Sequence, residues 1–228
     1  MGELSFRPAR PPERAPIDGA SVRLEPLDHT RHGQQLFAAA QGADETWFYL
    51  PYGPFASQAD FTRWLDDRAK LDDPLAFTII DRAVGAARGI ATLMSIEPEH
   101  GSIEIGHIWL SPRLQRTRQA TEAIFLLARY AFDELGNRRL EWKCDAANAP
   151  SRRAAERFGF TFEGVFRQHR VVKGRNRDTA WYSITDAEWP AVRAAFEAWL
   201  EASNFDAAGR QLRSLSEIRD GIDAKPRR

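Results

Sequence analysis

The chain predicts an α/β fold, one mixed sheet of six or seven strands with helices flanking it. Three observations carry this. Short apolar runs separated by tight turns, at 75–81, 89–96 and 103–110, predict an antiparallel meander. The strongest helical pattern, Gln119 to Leu135, lies between two strand-like runs and makes a crossover unit, which permits parallel pairing. Two last runs, 160–172 and 179–184, predict a closing hairpin.

Each element has its own local reason. Residues 1–19 hold prolines and charges without periodicity, so a flexible lead-in is expected, part of it able to lie across the sheet. Val22 and Leu24 alternate with Arg23 and Glu25, a short strand. Asp28 or Thr30 caps a helix through about Ala40, with Leu36, Phe37 and Ala40 inward. Thr46 to Phe55 is aromatic and broken by Pro51, Gly53 and Pro54, which forbids a long regular element. Ser57 caps a second helix through about Leu71, with Phe61, Trp64 and Leu65 at core spacing.

The long helix ends at Gly136-Asn137. Arg139 to Cys144 alternates as a strand. A helix starts near Asn148, with Pro150 suited to its first turn, and stops at Gly159. Lys173 to Asp178 is the charged tip of the final hairpin and is expected to be solvated rather than to select an acidic or peptide ligand. A helix from about Ala187 to Leu200 follows. After a polar break at 201–209 comes a weakly amphipathic stretch with Leu212, Leu215 and Ile218. The expected organisation is a lead-in at 1–19, one domain at 20–200 and a tail at 201–228 that is able to form a helix. That tail could pack on the domain, pair with another subunit as a homodimer or stay loose.

Composition narrows the class. Lys+Arg and Asp+Glu both number 32, which argues against a dedicated binder of nucleic acid or membrane surface. Cys144 is the single cysteine, so no intrachain disulfide forms and a cytoplasmic setting is expected. Neither a secretory leader nor an apolar run of the ~20 residues a membrane span needs is visible. The His residues lack metal-ligand spacing, so no metal is predicted.

The chemistry concentrates between Ile103 and Phe162, which read as strand, loop, helix, strand, helix. A loop opening a helix aims several backbone N–H groups one way, and the helix dipole adds roughly half a positive charge. That combination binds anions. Gln115, Arg116, Thr117, Arg118, Gln119 and Ala120 supply the backbone here, and Thr121 a hydroxyl.

Three stretches carry a family resemblance: Glu104-Ile105-Gly106-His107-Ile108-Trp109-Leu110, Gln115 through Ala123, and Asn148-Ala149-Pro150-Ser151 with Phe158-Gly159-Phe160. Together they resemble the core of the Gcn5-related N-acetyltransferases (GNAT), in particular the branch that acetylates ribosomal-protein N-termini. The likeness extends more weakly from Ser21 to Ser183. The family's loop pattern is Gln/Arg-x-x-Gly-x-Gly/Ala, and Arg118 stands where glycine is usual.

The resemblance implies a single-domain acyl-CoA N-acyltransferase fold with a splayed central strand pair, acetyl-CoA as donor, and an amine-bearing small molecule or protein N-terminus as acceptor. It implies that Ile108, Trp109 and Leu110 face the donor's pantetheine arm and that the 115–121 loop holds its diphosphate. Asn148 would contact the arm, and Ser151 would stabilise the leaving thiolate. Glu104 would act as base through water. His107 competes for that role but lies three residues on, hence on the opposite face of an ideal strand, unless a bulge changes the parity. The aromatic stretch is then either a core staple or a wall of the acceptor slot. A non-catalytic acyl-CoA-binding sensor is the alternative reading, since Arg118 departs from the pattern.

Overall fold

The computed structural model describes residues 6–223. Strands β1 (Ile17–Asp18), β2 (Val22–Pro26), β3 (Leu75–Asp81), β4 (Ala86–Glu97), β5 (Ser102–Leu110), β6 (Arg139–Asp145), β7 (Thr161–Val172) and β8 (Arg175–Thr185) form one sheet. Its order is β1-β2-β3-β4-β5-β6-β8-β7. All neighbours pair antiparallel except β5 and β6, which the crossover makes parallel. The sheet therefore has eight strands, not six or seven. The extra one is β1, whose two residues pair with Leu24 and Arg23.

Helices α1 (His29–Ala40) and α2 (Gln58–Ala69) cover one face. Helices α3 (Arg118–Arg129), α4 (Ala149–Arg157) and α5 (Trp189–Leu200) cover the other. The alternation of β4 shows the division. Ala91 and Leu93 join the core under α3, whereas Ile90 joins the core under α1 and α2. The caps fall where the sequence puts them. Asp28 accepts from Thr30 N and Arg31 N, Ser57 from Asp60 N, and Asn148 from Ser151 N.

Helix α3 ends in a π-helical turn, Tyr130–Glu134, before Gly136 at φ 77°. The Tyr130 hydroxyl accepts from Glu13 N. The lead-in, expected to be flexible, is thus tied to the body from residue 9 on: Ala9 N donates to Pro98 O and Arg10 N to Leu135 O. Its residues 1–5 lie outside the described residues. Glu122, on α3, accepts from Ala20 N, Ser21 N and Val22 N and holds the start of β2 against the helix.

Of the three fates open to the tail, the described part takes the first and packs on the domain. Helix α6 (Leu215–Asp223) lies against α5, with Leu215 and Ile218 buried. Arg219 donates to Glu156 O and Arg157 O at the end of α4.

Candidate active site at the β5–β6 gap

Parallel strands joined at one end can diverge at the other. The β5–β6 register holds at Ser102↔Arg139, Ile103↔Leu140 and Glu104↔Glu141 and then stops. Ile105 to Leu110 and Trp142 to Asp145 continue without pairing to each other. Main-chain groups along this gap call for hydrogen-bond partners of their own.

The gap leads to the loop before α3. Three of its amides are already spent within the turn: Leu114 N and Gln115 N on Ser111 O, Thr117 N on Leu114 O. Thr117 caps α3 by accepting from Ala120 N. Among the described residues, the amides of Arg116, Arg118 and Gln119 have no hydrogen-bond acceptor. They stand at the positive end of a helix dipole, which suits an anion. The loop's left-handed residue is Arg116, at φ 61°. Arg118 is already helical, so glycine is not needed there for its backbone.

The Arg118 side chain does not serve the loop. It donates to Leu200 O and lies 4.7 Å over the Phe205 ring, anchoring the segment after α5. Engaged there, the side chain is not aimed at a phosphate in the loop. A residue that motif reading missed is better placed. Arg157, half-buried with no carboxylate partner among the described residues, donates to Thr121 Oγ1 at 3.1 Å, beside the first turn of α3. Its guanidinium rests over Trp199 at 5.0 Å. The signal was an arginine two residues before Gly159 on an amphipathic helix, which looks like any solvated face.

At the other end of the gap, the Asn148 carboxamide caps α4 through Oδ1, accepting from Ser151 N at 3.1 Å. Its Nδ2 makes no hydrogen bond among the described residues. The Ser151 hydroxyl accepts from Trp142 Nε1 at 3.0 Å, and its own hydrogen has the Cys144 thiol within reach. Ile108 and Leu110 are half-buried along the gap. Trp109 instead buries its indole under α1 and α2, stacked on Trp47 at 4.8 Å, with Nε1 donating to Thr46 Oγ1. It has only its main chain to offer a donor.

On the α1–α2 face, β4 and β5 slip register between Ile90 and Thr92. His107 takes φ 47° in this bulge. Its side chain turns onto the face of Thr92 and Glu104, with Tyr52, Trp64 and Arg68 around it in a narrow cavity. The bulge thus resolves the parity question: both candidate bases share a face. They differ in electrostatics. Burial and the nearby Arg68, Arg177 and Arg170 push His107 down to about 4, and Tyr52 Oη lies 2.9 Å from Nδ1. Burial raises Glu104 above the usual carboxylate range, against the pull of Lys143. Glu104 Oε2 bonds Lys143 Nζ at 2.9 Å and Ser95 Oγ at 3.2 Å. Lys143 also bonds Glu141 at 2.6 Å, and Arg139 continues the ladder to Glu141 and Glu163. Gly106 makes room here, because a Cβ would meet Met94 Sδ at 2.4 Å and Glu104 Oε1 at 3.1 Å.

The aromatic stretch is stapled to the core and also borders the cavity at His107. Trp47 is 1% exposed, while Tyr52 faces His107. The hairpin tip, expected to be solvated, docks on this stretch. Lys173 Nζ donates to Trp47 O at 2.8 Å, and the Arg175 guanidinium covers Phe48 at 4.0 Å. A wide surface groove lies elsewhere, along Arg14, Glu25, Arg31 and Asp72. Its charges are paired with one another, so it places no demand on a ligand.

A splayed parallel pair beside an open helix N-terminus, on this strand order, defines an acyl-CoA N-acyltransferase fold. A family model described as "Acetyltransferase (GNAT) domain" matches residues 21–161. The chain is 53% identical to a GCN5-related N-acetyltransferase of known structure from Brucella melitensis, covering 95% of this chain and 99% of that one, with a TM-score of 0.93. A GNAT-family structure from Chromobacterium violaceum, titled a probable acetyltransferase, is 46% identical over 83% of this chain and 96% of that one, with a TM-score of 0.79. A Bacillus subtilis protein, "Putative ribosomal N-acetyltransferase YdaF", is 29% identical over 73% of this chain and 90% of its own length. The chain belongs to the GNAT acetyltransferases, and it is an acyltransferase.

Proposed function

We propose that the protein is an acetyl-CoA-dependent N-acetyltransferase that acts on a primary amine by direct attack in a ternary complex. The observation that carries this reading is the end of β5–β6 pairing at Glu104↔Glu141, next to three unspent amides at the start of α3. The donor supplies a thioester and a diphosphate, and these residues fit both. The amides of Arg116, Arg118 and Gln119, with Arg157, suit the diphosphate. The main chain of Ile108, Trp109 and Leu110 and the carboxamide of Asn148 suit the arm.

An amine titrates near ~10.4 and must lose a proton to attack. Glu104 takes it through water, since its raised affinity for protons suits a base working near neutrality. His107 is the weaker base: at about 4 it holds protons poorly. Ser151 offers the sulfur a hydrogen bond that stabilises the leaving thiolate as the C–S bond breaks and the C–N bond forms, while the amine's proton passes through water to Glu104. Cys144 is 5% exposed with its thiol pushed up by burial, so it contributes no thiolate.

The test is a panel of amines with acetyl-CoA, read by released thiol and by a one-acetyl mass gain on the amine. Acceptor-dependent release is expected. Saturable donor binding without release across the panel would contradict the reading.

A further inference from the structure

Resting on that reading, we propose that the acceptor is a small primary amine that also carries a carboxylate or phosphate, held by Arg68 and Arg177. The inference comes from polar atoms the fold leaves unspent. Among the described residues, the buried Arg68 Nε, Arg177 Nε, Trp181 Nε1 and Thr179 Oγ1 have no hydrogen-bond partner. Arginine and indole N–H groups only donate, so whatever meets them must accept. Neither Arg68 nor Arg177 has a carboxylate within ion-pair distance among the described residues. Buried donors without acceptors are costly, which makes them an informative signature of a ligand.

These atoms lie where an acceptor must sit. Arg177, Thr179 and Trp181 alternate along one face of β8. Trp181 pairs across to Lys143 of β6, whose ammonium stands 4.2 Å from the indole and 2.9 Å from Glu104. Arg177 lies just beyond the last β6 pair, Asp145↔Thr179, and so beside the mouth of the gap. Arg68 reaches in from α2 over Tyr52, at 5.6 Å, into the cavity that His107 lines.

Local charge points the same way. Lys143 is neutralised by Glu104 and Glu141. Asp73, a carboxylate whose charge acts on His107, is held by the amides of Ser95 and Ile96. That leaves Arg68 and Arg177 uncompensated. The donor's own charges do not answer them, because its phosphates belong at the α3 end and its arm is neutral.

Size follows from the fence around the mouth. Lys173 and Arg175 at the hairpin tip grip the main chain of Trp47 and Phe48, and Tyr49 Oη donates to Ala147 O in the loop after β6. These contacts close the route that an extended polypeptide acceptor would take.

The experiment pairs acidic amines with neutral counterparts, glutamate with glutamine and phosphoethanolamine with ethanolamine, and adds an acidic hexapeptide with a free N-terminus. Wild-type kcat/KM should favour the acidic small amine by about tenfold or more, and the hexapeptide should not be used. Arg177→Gln and Arg68→Gln should each erase that preference through KM, with kcat and acetyl-CoA affinity retained. A preference for neutral amines or for the hexapeptide, or one that survives both substitutions, overturns the proposal and leaves acetyl transfer standing. A second readout needs no turnover. Phosphate or glutarate added to the CoA-loaded protein should shift the Trp181 indole NMR signal, assigned with Trp181→Phe, and Arg177→Gln should abolish the shift. A shift with no thiol release from any amine would uphold the anion site and reject the transfer reading. No shift with either anion overturns the site.

Discussion

The two sides of the β5–β6 gap are built by different means. The donor side is mostly main chain: unpaired strand edges, three amides at a helix start and two capping side chains. The acceptor side is side chains drawn from α2, β5, β6 and β8, tied into ion pairs or left without partners. A main-chain site depends on backbone shape and tolerates changes of residue. That is how Arg118 stands at a position usually glycine and turns its side chain to a different task. A side-chain site has no such freedom, because each group's charge is set by its neighbours.

Substitutions should separate the two sides. The largest effect belongs to Glu104→Gln, which keeps the shape and removes the base. Turnover should fall by about 10²-fold with acetyl-CoA affinity unchanged. The acid limb of the wild-type rate profile should lie above the ordinary carboxylate range, because burial raises Glu104, and it should vanish in the variant. An unchanged profile would remove Glu104 from the mechanism.

On the donor side, Asn148→Asp retains an oxygen for the α4 cap and loses the Nδ2 donor. Acetyl-CoA affinity should weaken by about tenfold, roughly 1.4 kcal/mol, at nearly unchanged stability. Asn148→Ala should lose that affinity and about 1 kcal/mol of stability as well. Equal affinity in wild type and both variants would mean that the residue is a cap alone.

His107 offers a pH test of the acceptor side. Its folded value of about 4 lies below the ordinary 6.5. Between those values the unfolded chain binds the additional proton, so stability should fall as pH drops from about 6.5 to about 4. His107→Gln should flatten that part of a denaturant-midpoint profile, and an identical slope in both proteins would show that His107 is not the cause. The smallest effect on the donor should come from Arg118→Gly. It frees Leu200 O and Phe205, lowering the melting temperature, while acetyl-CoA affinity stays within about twofold, under about 0.5 kcal/mol. A tenfold loss would place the Arg118 side chain on the phosphate.

The same contrast explains what the sequence made legible. Helix starts could be read because Asp28, Ser57 and Asn148 cap by local chemistry. The meander and the closing hairpin followed from turn lengths, and the parallel pair from one crossover, whereas the placing of β8 rather than β7 beside β6 carried no local signal. By contrast, the two-residue β1 is too short to show a period, and the bulge at His107 depends on how β5 meets β4. Arg157 and Arg177 look like any solvated arginine until the fold shows that, among the described residues, neither has a carboxylate within ion-pair distance. The hairpin tip looked solvated because its partners, Trp47 and Phe48, are more than a hundred residues away.

A structure determined with CoA bound tests the central claim most directly. The account predicts diphosphate oxygens on the amides of Arg116, Arg118 and Gln119, with Arg157 in contact and the pantetheine arm between β5 and β6. A diphosphate bound away from the start of α3, or an arm lying outside the gap, would contradict it.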